Sequence, residues 1–125
     1  MTIDLRRLTA AMHEISDEKG PFTLFGLFMR VESLGRWDLL VSAPWLEEGK
    51  LRALGEFVEM LSRTFSQDEI LSLSRIVTVN ENDPVLAAIL TAVSDAALPA
   101  ELRNQVFHGV PIDEAHVLAA RRCVA

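Results

Sequence analysis

Phe22-Thr23-Leu24-Phe25-Gly26-Leu27-Phe28-Met29-Arg30-Val31 is aromatic and largely apolar, and the glycine inside it weakens a helix. A run this apolar at successive positions predicts a central strand, buried on both faces for much of its length. Ser33-Leu34-Gly35-Arg36 follows, and then Trp37-Asp38-Leu39-Leu40-Val41-Ser42-Ala43 reads as a second strand that Pro44 ends. The connection is short and contains glycine, so the two strands form an antiparallel hairpin.

Downstream of this hairpin, residues 46–65 carry Leu51, Leu54, Phe57, Val58, Leu61 and Phe65 on one predicted helical face, with Lys50, Arg52, Glu56, Glu59 and Arg63 opposite. Ser66-Gln67-Asp68-Glu69 has the S-x-x-E form of a capping box and starts a short helical turn. Arg75-Ile76-Val77-Thr78-Val79 is rich in β-branched residues and reads as a third strand. The intervening helix has the length of a crossover, which predicts that the second and third strands run parallel. Asp83-Pro84 then reads as an N-cap and first helical residue, with Val85, Leu86, Ile89, Leu90 and Val93 as the apolar face.

Upstream, Ile3, Leu5, Leu8, Ala11, Met12 and Ile15 recur at helical spacing, capped by Thr2 or Asp4 and closed by Lys19-Gly20-Pro21. In the tail, Gln105-Val106-Phe107-His108-Gly109-Val110 and Ala115-His116-Val117-Leu118-Ala119-Ala120 fit two short strands turning near Ile112-Asp113; a loop followed by a helix is the competing pattern. The order predicts an α+β (or α/β) single domain over residues 1–125. Its small mixed sheet starts with an antiparallel hairpin, and about three helices pack on it. Leu54, Phe57, Leu61, Phe25, Leu27, Leu40, Ile76, Val77, Ile89 and Leu90 are expected to share its core.

The chain has 125 residues, half of them hydrophobic, and a formal net charge of -6. That is enough apolar material for one core without metal or disulfide staples, and too much for a disordered chain. The acidic balance, with Arg6-Arg7 and Arg121-Arg122 as the only basic doublets, argues against binding nucleic acid or anionic membranes. Cys123 is the one cysteine, so neither an intramolecular disulfide nor a cysteine metal cage can form. The first sixteen residues have no long apolar run of the export-signal kind, and no stretch approaches the roughly 20 apolar residues that span a bilayer. A cytoplasmic location is the expectation.

The six glycines are isolated, so neither a G-x-G-x-x-G nor a G-x-x-x-x-G-K-[ST] phosphate loop exists, and a G-x-S-x-G nucleophile elbow is missing too. His108 and His116 could approach across a tail hairpin, but without a third ligand at defined spacing they predict no metal site. Glu32 and Asp38 flank the first hairpin, yet the E-x-K partner that a metal-dependent nuclease needs is absent, so they read as solvated acids. Arg30 and Arg75 sit inside or at the edge of apolar strands and need a carboxylate or solvent at the head, with Glu32, Asp38 and Glu81 available; a bound anion is the functional alternative and edge-strand solubility the plain one.

The most unusual cluster is Arg36-Trp37-Asp38 with Ser42-Ala43-Pro44-Trp45, although an extended chain holds the two tryptophans about 23–26 Å apart. Trp45 reads either as a plug anchoring the long helix or as part of a site at the carboxyl end of a strand, where open α/β sheets bind ligands. The candidate ligand-binding set is therefore Asp38, Ser42, Trp45, Arg30 and Arg75, with no catalytic residue and no cofactor implied. Phe22, Phe28, Met29, Val106 and Phe107 look surplus to one core. They make a self-associating protein-interaction or assembly module, most simply a homodimer, the leading functional expectation, with other protein partners possible. The alternative is an enzyme or small-ligand domain with its site near Ser42 and Trp45.

Overall fold

The computed structural model describes residues 4–33, 35–93 and 98–121. In chain order the elements are α1 (Leu5–Lys19), β1 (Leu24–Arg30), a single 3₁₀ turn (Val31–Ser33), β2 (Asp38–Ser42), α2 (Pro44–Leu61), α3 (Gln67–Leu71), β3 (Arg75–Thr78), α4 (Pro84–Ala92), β4 (Ala100–Phe107) and β5 (Val110–Ala120). The strands form one mixed sheet in the order β3-β2-β1-β5-β4. The result is an α+β domain with the first hairpin at its centre.

Local chemistry sets the element ends. Asp4 caps α1 by accepting from the Arg6 N–H, and Gly20, at φ 122°, ends it. Ser66 and Glu69 close the reciprocal capping box of α3, and Asp83 caps α4 with Pro84 in its first turn. The β1–β2 hairpin is antiparallel and the β2–β3 pair parallel, as the crossover length requires. In the middle of β1, a Cβ on Gly26 would stand 2.9 Å from the His116 carbonyl oxygen across the ladder. Glycine is what lets β5 approach at the register shift there.

The sheet divides the core that the sequence pattern places together. Phe25, Leu27, Phe57 and Leu61 belong to a cluster under α1 and α2, with Leu54 and Ile76 at its edge. Ile89 belongs to a second cluster under α4, with Leu40, Val77 and Leu90 packed against it. Period-two alternation along β1 and β2 sends neighbouring residues to opposite faces, so no single cluster can hold both sets.

Two local expectations are corrected. Leu51 is 84% exposed rather than on the buried face of α2, because Lys50 (φ 51°, ψ -131°) interrupts the helix and resets its phase. After the kink the buried stripe runs through Ala53, Phe57, Met60 and Leu61. The tail is a hairpin, but it turns at His108-Gly109, not at Ile112-Asp113. Both turn residues have positive φ, the geometry that a two-residue loop matched to strand twist demands and that glycine supplies. The alternation of an antiparallel ladder then makes Val106 and Pro111 the non-hydrogen-bonded pair, so proline costs this hairpin no bond.

The apolar surplus also moves inward. Phe22 lies in the α1/α2 cluster, while Phe28 and Phe107 meet edge-to-face, 6.1 Å between centroids, in the α4 cluster. Val106 is exposed, as are Val31 and Val110. Among the described residues, no helix is long and apolar enough to cross a membrane.

Candidate functional site

β-sheet register assembles a polar cluster on the α4 face. Asp38, the first residue of β2, pairs with Phe28 of β1 on one side and Arg75 of β3 on the other. Arg30 lies two residues beyond Phe28 and shares its face. Asp38 is only 1% exposed, and its Oδ2 accepts from Arg30 Nε at 2.6 Å, with Arg75 Nε 3.2 Å away. Arg30 also reaches Glu32 at 3.0 Å. The hydrogen bond to Asp38 is the main reason the Arg30 guanidinium is held even further toward its charged form than usual. Both arginines have thus found a carboxylate, and for Arg75 it is Asp38 rather than Glu81.

Asp38 Oδ1 is different. It is buried and has no hydrogen-bond partner among the described residues. Leaving a buried acceptor unmatched costs about 1–3 kcal/mol, more for a charged group. The same aspartate lines a cavity of about 160 Å³ between the sheet and α4. Phe28, Leu40, Val77, Ile89, Phe107 and Ile112 make its apolar wall, and Arg30, Asp38, Arg75 and Asp83 supply its charges. Asp83 already accepts from the Val85 N–H as helix cap, so it has less to offer a guest than Asp38.

No protein-family model, curated protein or solved structure matches this chain.

Of the five residues singled out by sequence, Arg30, Asp38 and Arg75 come together, while Ser42 and Trp45 do not join them. Ser42 closes the opposite end of β2, and its Oγ is a second buried polar atom without a partner among the described residues. Trp45 lies on the other face, its ring 5.5 Å from Phe22 and 6.4 Å from Phe57, with Nε1 donating to the Gly20 carbonyl at 3.1 Å. That is the plug role: it ties the start of α2 to the end of α1. Trp37 packs separately, its ring tilted against that of His116 at 5.3 Å, so the tryptophans do not meet.

The charged cluster therefore sits at the amino ends of the parallel β2 and β3 strands, not at the carboxyl end where the sequence rule places a site. A groove of about 240 Å³ does exist at the carboxyl end, bordered by Val41, Leu46, Leu54 and Val79. Its one carboxylate, Glu47, is occupied by the Glu81 N–H at 2.7 Å. Sequence reasoning missed Phe107, Val110 and Ile112 from the tail and Val85 and Ile89 from α4. The Asp83-Pro84 signal fixes where α4 starts, but nothing local says which sheet face it covers.

Proposed function

We propose that this domain binds a small, mostly apolar molecule in the cavity under α4, held by a polar head that donates a hydrogen bond to Asp38 and accepts one from Arg75. The unmatched Oδ1 of Asp38, buried beside an apolar chamber, carries the reading. An apolar cavity of about 150 Å³ is sufficient for benzene, so this one suits a ring or branched chain with a short head group, roughly ten non-hydrogen atoms in all. Two arginines against Asp38, Glu32 and Asp83 leave the rim without excess positive charge, which disfavours a plain anion. An amide-like head, donor and acceptor together, matches the pair best.

The probe is benzamide, with benzoate (acceptor only) and benzamidine (donor only) as comparators, measured by isothermal titration calorimetry. At about 0.5 kcal/mol per non-hydrogen atom, benzamide is expected to bind with a Kd near one millimolar, and the comparators more weakly. Val85→Phe, which fills the chamber from the half-buried first turn of α4, is expected to abolish the heat. Preference for benzoate over benzamide would overturn the role given to Asp38, and equal binding by folded Val85→Phe would remove the cavity from the account.

Self-association is a second reading, for which Val106 remains and Val31 and Val110 are added. Val31, Val106 and Val110 are exposed, and the outer edge of β4 pairs with no strand among the described residues. Glu101, Arg103 and the positive φ of Asn104 along that edge oppose simple strand addition.

A further inference from the structure

On the opposite face, the β4–β5 hairpin carries a second cluster that the ligand reading does not use. Glu101 of β4 lies directly across from His116 of β5, and Arg103 across from Glu114. Glu114 and His116 are two residues apart on one strand and so share a face. One donor atom from each of Glu101, Glu114 and His116 falls within 4.8 Å of the others. We propose that these three side chains bind a divalent first-row metal ion, zinc or manganese in chemical class.

The donor set is one imidazole and two carboxylates, which suits such ions and excludes the soft, thiolate-preferring ones. Metal–ligand bonds of about 2.1 Å in a tetrahedral arrangement place donors about 3.4 Å apart, so the widest donor gap, at most 4.8 Å, needs to close by no more than about 1.4 Å. His116 Nε2 and Glu114 Oε2 are already 2.8 Å from each other.

The surroundings restrain the donors in the way a metal site needs. The His116 ring packs against Trp37, and strand backbone fixes all three Cα positions. Arg103 engages Oε1 of Glu114 at 3.1 Å and Oε1 of Glu101, which restrains both carboxylates and leaves Oε2 of Glu114 on the histidine. Three protein ligands also leave coordination positions open to water, the pattern of reactive rather than purely structural sites. Access is through a groove of about 290 Å³ bordered by Leu5, Arg6, Thr9, Glu101, His116 and Leu118.

The test is calorimetric titration of Zn²⁺ into the full chain stripped with chelator, with Mn²⁺ in parallel. One equivalent per chain is expected. Affinity should fall about tenfold or more in His116→Ala and in Glu101→Gln, and be retained in His108→Ala, whose imidazole is in the turn. Co²⁺ should develop a visible d–d absorption that His116→Ala loses. If His116→Ala does not fold by circular dichroism, Glu101→Gln carries the test, since that side chain is nearly half exposed. Absence of binding, or unchanged affinity in a folded His116→Ala or Glu101→Gln, overturns the proposal.

Discussion

On one face of the sheet, α1 and α2 close over Phe22, Phe25, Trp45 and Phe57, whose rings meet at 4.9–6.4 Å. On the other, the nine-residue α4 is the helix that packs on the strands, and a cavity with a buried aspartate at its margin remains. The same strands feed both faces. The difference lies in how much helix covers each, and it separates a region built for packing from one with room for a guest. Interlocked edge-to-face rings contribute about 0.5–1.5 kcal/mol per pair beyond burial, whereas cavity walls forgo contacts on one side.

Removing the ring at the centre of the packed face should have the largest effect. Phe57→Ala is expected to lower unfolding free energy by about 3–5 kcal/mol in urea titrations, since Phe57 is fully buried and touches three aromatic rings. A loss under about 1 kcal/mol would mean that α2 presents another side to the sheet.

Adding volume should distinguish the faces more sharply than removing it. Ala11→Leu on α1 forces a larger side chain against a filled cluster and should cost about 1–3 kcal/mol. Val77→Ile adds one methylene on the cavity side and should change stability by less than about 0.5 kcal/mol, or raise it slightly. Equal penalties at the two positions would make the contrast between faces untenable.

A smaller effect belongs to the α1–α3 margin. Glu69 is held below the usual carboxylate range, first by the Ser66 N–H and next by Arg7. A carboxyl with a depressed folded pKa contributes stability above its unfolded pKa and loses it as pH falls through the folded one. Stability should therefore decline below about pH 4.3 with a contribution from this group. Glu69→Gln is expected to make that acid limb shallower in pH-dependent thermal melts while leaving the neutral-to-alkaline limb parallel to the parent. An unchanged acid limb would show that the capping box carries no linkage.

How much was legible in the sequence follows the range of the interactions. Asp4, Ser66-x-x-Glu69 and Asp83-Pro84 act within one turn, and each starts a helix where its residues say it must. The first hairpin and the parallel crossover were readable because strand composition and connection length constrain them. The phase of α2 was not, because the backbone at Lys50 departs from the helix in a way that no periodicity count includes. The tail turns at His108-Gly109 rather than Ile112-Asp113 because a two-residue loop needs positive φ, which His108 and Gly109 both hold. Arg30 and Arg75 are legible as misfits in or beside apolar strands, whereas Asp38 reads in the sequence as a solvated acid and is instead 1% exposed. Their convergence depended on cross-strand register, and their cavity on where α4 lands. Glu101, Glu114 and His116 were invisible together for the same reason: a shift in the turn changes every cross-strand neighbour.

The ligand cavity is tested most directly by methyl-resolved heteronuclear NMR of the full chain during titration with benzamide. Saturable shifts are expected for the methyls of Leu40, Val77, Val85, Ile89 and Ile112, all on the cavity wall, while those of Leu8, Ile15 and Leu61 under α1 and α2 stay in place. Shifts distributed over both faces, or none up to about ten times the expected millimolar Kd, would contradict a binding chamber beneath α4.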